Sequence, residues 1–252
     1  MTKTEQLNEL FEEWREAQVQ ESDSDWKITK PEGTKNIKKH FFCDDGIIDE
    51  SIYETEHIKV LFLTNEATIE KHISPEQENI GSRIESFNNY FYTGNEPWSS
   101  GRMSERICSL FQVIINDYSY PPHKYAKRFA FMNLNKRGGD KDIKTGIHLD
   151  KYCDLYSCFI LKEIEIINPD IIIWVGSQSF DMDFKDKYLN VTTHDGRYYI
   201  NINNRMVPVI RTWHTSHYRI SKSVQPHSHF ENKTTAKQAM HLAEMLDFYN
   251  LP

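Results

Sequence analysis

A length of 252 residues, 38% hydrophobic and 27% charged, suffices for a single α/β domain with a substantial core. The formal net charge of -7 argues against a dedicated sequence-independent DNA binder, which is normally basic overall. It leaves room for an enzyme that grips a few phosphates through one local patch. No apolar run reaches membrane length and the start lacks a signal peptide's apolar region, so the expected setting is a reducing cytoplasm without membrane partners. Cys43, Cys108, Cys153 and Cys158 form no CxxC pair and read as free thiols.

Leu7, Leu10, Phe11 and Trp14 recur at helical spacing and predict an amphipathic helix over residues 4–18. The following stretch, with Ser22, Asp23, Ser24, Asp25, Pro31 and Gly33, reads as irregular. Residues 41–53 read as a turn with flanking apolar residues, a short arm leading into the core. HIKVLFLT (57–64) is an almost continuous apolar run, as a parallel strand covered on both faces requires. A long polar segment then runs to about residue 100. The spacing predicts a helix over 100–117, and RFAFMNLN (128–135) is a second strand leading into the loop KRGGD.

Leu155 to Ile167 reads as a helix stopped by Asn168–Pro169, because proline disfavours helix in its predecessor. DIIIWVG (170–176) is a third buried strand, with Gly176 turning into another short helix. YYINI (198–202), after an Asp195–Gly196 turn, forms a hairpin strand. VPVIRT (207–212) is the fourth core strand, and a last helix spans about 232–249. The alternation predicts the α/β class: a three-layer α/β/α domain over 1–252 around a central parallel four-stranded sheet, with an N-terminal helical extension over about 1–56.

Open parallel sheets bind ligands outside the carboxyl ends of their strands. That rule selects the loops 65–68, 133–139, 176–180 and 213–219, where polar residues crowd. GxxxxGK[ST] and GxGxxG are both absent, so neither a nucleotide P-loop nor a dinucleotide fold is indicated. The segment 124–144 carries Lys124, Lys127, Arg128, Lys136, Arg137, Lys141 and Lys144 against Asp140 and Asp142. It reads either as a phosphate-facing patch or as a solvated loop of mixed charge.

VLFLTNEA, FAFMNLNKRGG, EIEIINPDIIIWVGSQ and VIRTWHTSHYR, in that order, resemble the landmark segments of the uracil-DNA glycosylase superfamily. The third is the most specific: a helix, a proline, a buried strand and a glycine. His214-Thr215-Ser216 is similar to the superfamily's His-Pro-Ser motif, and Asn65-Glu66-Ala67-Thr68 to its water-activating loop. The resemblance covers about residues 57–220. It implies an enzyme that flips a base out of the duplex and hydrolyses its N-glycosidic bond. Glu66 would then activate water and stabilise the sugar cation, and His214 would stabilise the departing base as an oxyanion. Asn65, Asn133, Asn135 and Ser216 would contact the base, with Trp98 or Tyr92 stacking on it. Lys136, Arg137, Ser177 and Arg219 would meet the nucleic-acid backbone, DNA rather than RNA.

Thr68 and Thr215 stand where the motifs have proline, and Asn65 where the first has glycine. One branch carries a cluster cysteine near the position of Arg137, so no iron–sulfur cluster and no other cofactor is expected. His214, His217, His227 and His229 admit a zinc reading, but they lack a helical His-x-x-x-His register and a nearby carboxylate ligand; no metal is expected. The bland readings are a strand-end histidine for His214, a solvated acid for Glu66, a core ring for Trp98, and one structural asparagine of Asn133 and Asn135. The competing function is a binding module that keeps the cleft without the reaction and recognises a nucleotide, nucleic acid or a protein.

Overall fold

The computed structural model describes residues 1–29, 42–68, 103–139, 146–175, 188–212 and 233–251. The described helices are α1 (Lys3–Val19), α2 (Asp23–Thr29), α3 (Glu50–Tyr53), α4 (Met103–Ile115), α5 (Gly146–Ile167) and α6 (Lys233–Tyr249). The strands are β1 (Gly46–Ile47), β2 (Val60–Thr68), β3 (Ala130–Gly139), β4 (Ile171–Trp174), β5 (Val191–His194), β6 (Arg197–Ile202) and β7 (Arg205–Arg211). They form one mixed seven-stranded sheet in the order β1-β3-β2-β4-β7-β6-β5.

The expected four-stranded sheet is therefore too small. The four predicted strands make its contiguous parallel block, β3-β2-β4-β7. The antiparallel dipeptide β1 extends one edge, and the antiparallel pair β6 and β5 extends the other. Two Asx-rich turns build that second extension. Asp195–Gly196 and Asn203–Asn204 all take positive φ, the backbone that matches a hairpin's right-handed twist.

Strand alternation divides the interior in two. Leu61, Leu63, Ala130, Met132, Ile172 and Trp174 face one cluster, shared with Leu7, Phe11 and Trp14 of α1 and with Tyr152, Ile160 and Ile164 of α5. Val60, Phe62, Phe131, Ile171 and Ile173 face the opposite cluster, shared with Ile107 and Phe111 of α4 and Leu242 of α6. Helices thus cover both faces, and α1 belongs to the core instead of extending from it. Trp14 is fully buried and stacks on Phe159 with ring centroids 5.4 Å apart. Truncating so large a core ring costs about 3–5 kcal/mol.

Local chemistry fixes where α1 begins. Thr2 and Glu5 form a reciprocal capping box, and the Glu50 carboxylate accepts from the Lys3 and Thr4 backbone amides at 2.8 Å each. Gly46, at φ 111, sits close against this helix: a Cβ there would meet Leu7 Cδ1 at 3.0 Å. The stretch read as irregular after α1 contains α2, whose start is capped by the Ser22 hydroxyl accepting from the Asp25 amide at 3.1 Å. No helix among the described residues is long and apolar enough to cross a membrane.

Candidate functional site

β4 and β7 end together at Trp174 and Arg211, whereas β2 and β3 run on to Thr68 and Gly139. Val175 N donates to Leu63 O at 2.8 Å, and Thr212 N donates to Trp174 O at 2.9 Å, carrying the ladder to the last core residues. The chain leaves β2 toward β3 on one side, then crosses back over β2 to reach β4 and β7. Connections from neighbouring β2 and β4 consequently run in opposite directions. Such a switch point, outside the carboxyl ends of the strands, is the usual ligand position in open α/β sheets. Leu63 is in register with Trp174, Thr64 with Asn133, and Glu66 with Asn135. Apolar strand interiors give way here to buried polar groups: Thr64, Asn65, Asn133, Asn135 and Thr212.

The two asparagines of β3 differ in what they have left to offer. The Asn133 amide nitrogen donates to Asp45 Oδ2 at 3.0 Å, and its oxygen accepts from Thr64 Oγ1 at 2.7 Å. The same Asp45 oxygen takes the Asn133 backbone N–H at 2.7 Å. Both ends of this amide are thus engaged within the fold. Asn135 Oδ1 accepts from Arg137 N at 2.9 Å, which leaves its Nδ2 fully buried and without a partner. The backbone donor requires the amide oxygen at that contact, so the nitrogen is the atom left over. Asn65 Oδ1 is likewise buried and unpartnered. Each such group costs about 1–3 kcal/mol of desolvation that no internal bond returns, a cost a bound polar ligand would offset.

The next residues depart most from expectation. Lys136 and Arg137, read from sequence as phosphate contacts, are both fully buried. Lys136 Nζ bonds Asp45 Oδ1 and meets Glu163 at 2.9 Å to Oε1 and 2.7 Å to Oε2, with the Phe11 and Trp14 rings 5.3 and 5.4 Å away. Arg137 bonds Glu21 at 2.5 Å, and its guanidinium lies 4.8 Å from the Trp26 ring, 5.4 Å from Tyr152 and 5.8 Å from Tyr156. Tyr156 donates its hydroxyl to the same Glu21. Each cation sits against a carboxylate supplied from elsewhere in the fold. Neither faces outward to meet a phosphate.

The electrostatics follow from burial. Desolvation pushes the Glu163 carboxyl well above its usual range, and nearby Asp45 pushes it further, against the pull of Lys136. For Lys136 desolvation favours the neutral amine, but Asp45 and Glu163 outweigh it and hold the charge above the usual lysine range. Lys127 and Arg128 of the same basic segment are paired as well. Lys127 lies 3.7 Å from Asp49, and Arg128 pairs with Glu56 at 2.6 Å and reaches Asp117 at 3.6 Å.

Of the remaining expected site residues, Glu66 lies on β2 in backbone register with Asn135. His214, Ser216, Arg219, Ser177, Trp98 and Tyr92 lie outside the described residues, as do His217, His227 and His229. Among the described residues no group of three or more His, Cys, Asp or Glu is arranged to hold a metal ion. Sequence reading missed Glu21, Asp45 and Glu163. Only Glu163 carried a signal: it falls on the helical stripe of Tyr156, Ile160 and Ile167, an apolar face where a carboxylate needs an internal partner. No protein-family model matches the chain, and no curated protein matches it.

Proposed function

We propose that the chain is a nucleic-acid glycosylase of the uracil-DNA glycosylase type, built as a three-layer α/β/α domain. Its reaction is hydrolysis of the N-glycosidic bond of uracil or another modified base. The observation that carries this reading is the polar end of the β2–β3 pair at the switch point: Asn65 and Glu66 lie on β2, and Glu66 is in register with Asn135 of β3, whose Nδ2 is buried and unpartnered. β7 ends at Arg211 at the same end of the sheet, and His214 follows it in the sequence.

The chemistry assigned to these groups is economical. Glu66 polarises water at the anomeric carbon and stabilises positive charge on the sugar. His214 donates to the carbonyl oxygen of the leaving base as negative charge builds there. Asn135 offers the donor that reads the base edge, a reading supported by its spare Nδ2. Asn133 has both ends of its amide occupied and serves as a structural member.

The test is base release from single- and double-stranded oligonucleotides carrying uracil, hypoxanthine, xanthine or oxidised pyrimidines. Wild type is compared with Glu66→Ala, His214→Ala and Asn135→Ala. Abasic product that vanishes in the first two variants and falls sharply in the third is the expected result. Absence of product on every substrate, with folded protein, removes the glycosylase reading for those bases.

A second reading is favoured by one observation: Lys127, Arg128, Lys136 and Arg137 of the basic segment are paired internally on a chain of net charge -7. A polyanion would be held weakly. The site would then serve to recognise a nucleotide, a nucleic acid or a protein partner without cleaving it. Equilibrium binding of the same oligonucleotides and of free nucleotides, without base release, would support this second reading.

A further inference from the structure

We infer that Arg137, with Glu21 and Trp26, is a positioning device that makes the N-terminal helices a working part of the strand-end site; the catalytic half of this inference rests on the glycosylase reading. The N-terminal segment grips the end of β3 at separate points. Asp45 holds the Asn133 backbone N–H at 2.7 Å, the Asn133 amide at 3.0 Å and the Lys136 ammonium. Cys43 N donates to Lys136 O at 2.7 Å. Beyond them Glu21 bonds the Arg137 guanidinium at 2.5 Å, and the ring of Trp26 on α2 lies 4.8 Å from it. Tyr152 and Tyr156 of α5 complete the surround.

The grip reaches the site through one bond. The backbone N–H of Arg137 donates to Asn135 Oδ1 at 2.9 Å, which orients the amide and determines where the unpartnered Nδ2 points. Pairing between β2 and β3 is irregular just here, with Glu66 opposite Asn135 but Thr68 opposite Gly139. The ladder alone therefore does not hold residues after Asn135 in register. A side chain anchored outside the sheet does so instead, and Arg137 is that anchor. Its planar, permanently charged fork binds a carboxylate and lies near three aromatic rings at once, a combination lysine does not reproduce.

The deciding experiment uses the full chain carrying E21Q and R137M together. This change removes both buried charges, leaving neither uncompensated, and keeps the aromatic surround filled. Backbone hydrogen exchange is followed at residues 133–137, with β4 and β7 as internal references. The expected result is exchange roughly tenfold faster or more at 133–137, with the references and the Tm near wild type. Unchanged exchange at 133–137 overturns the inference, and so does a uniform rise across all strands, which marks a merely structural pair.

The kinetic arm uses the substrate found for wild type. The base-release rate should fall roughly 10-fold to 100-fold while the oligonucleotide Kd stays constant, as for a displaced group and not a lost contact. R137K with native Glu21 should recover part of the exchange protection and part of the rate. Faster exchange with an unaltered rate overturns the positioning role. If wild type releases no base at all, the glycosylase reading fails, and the exchange arm still decides whether the N-terminal helices hold the strand end.

Discussion

Replacing Lys136 with methionine should destabilise the protein in a strongly pH-dependent way. Lys136 is fully buried and is the cation between Asp45 and Glu163, whose own carboxyl burial already holds toward the neutral acid. Methionine fills the same space against Phe11 and Trp14 but brings no charge. The folded variant must then bind one further proton to avoid a bare buried carboxylate. An aspartic acid in an unfolded chain titrates near pH 3.9, so holding it protonated at pH 7 costs about 4 kcal/mol, and at pH 5 about 1.5 kcal/mol. The first figure agrees with the ~3–5 kcal/mol typical of removing one member of a buried ion pair.

The sign is set by a raised folded pKa in the variant. The deficit relative to wild type should be nearly absent below about pH 4 and should grow by about 1.4 kcal/mol per pH unit above it. Urea unfolding of both proteins at pH 5, 6 and 7 measures it. A deficit of equal size at all three values would refute the reasoning and assign the loss to packing. Adding D45N and E163Q to the lysine variant should restore most of the stability at pH 7, since no buried charge then remains.

The asparagines should separate stability from activity. Asn133→Ala removes two side-chain bonds, to Asp45 and Thr64, and should cost about 2–3 kcal/mol in urea titrations. Asn135→Ala removes a single side-chain bond and should cost about 1 kcal/mol, yet lower base release roughly 100-fold. Glu50→Gln should weaken the start of α1 by about 1 kcal/mol near neutral pH. Burial works against the Glu50 charge, but bonds from Thr4 and Lys3 prevail and hold its carboxyl below the usual range. Its contribution is present above the unfolded pKa near 4.3 and lost as pH falls through the lower folded value, so wild type and variant should converge in acid.

The parallel strands were readable because burial on both faces writes them as apolar runs, as in VLFL and IIIW. Their ends were not, because pairing continues into polar residues: β2 runs on through Asn65 and Glu66, and β3 through Asn135, Lys136 and Arg137. Those residues are where the proposed site lies, so hydrophobicity stops marking the strand where polar chemistry begins. β5 escaped notice because only Val191 of its four residues is buried. α2 escaped because Ser22, Asp23 and Asp25 favour caps and turns as readily as they start a helix.

The Lys136–Arg137 pair was the deeper failure. Its compensating acids sit 116 residues upstream at Glu21, 91 upstream at Asp45 and 27 downstream at Glu163, and no local pattern links them to the pair. A charged dipeptide in a Gly-rich loop reads as solvated unless long-range pairing is known.

The placement of α1 has a consequence for how the chain is made. Its apolar stripe packs on α5, and Lys3 Nζ donates to the Ile167 carbonyl, 164 residues later. A chain growing at roughly 5–20 residues per second leaves that stripe without its partner for about 10–30 s. During this interval Leu7, Phe11 and Trp14 present an unpaired hydrophobic surface on the nascent polypeptide. α1 is therefore made before α5 yet settles only after it, and chaperone demand should concentrate in that window.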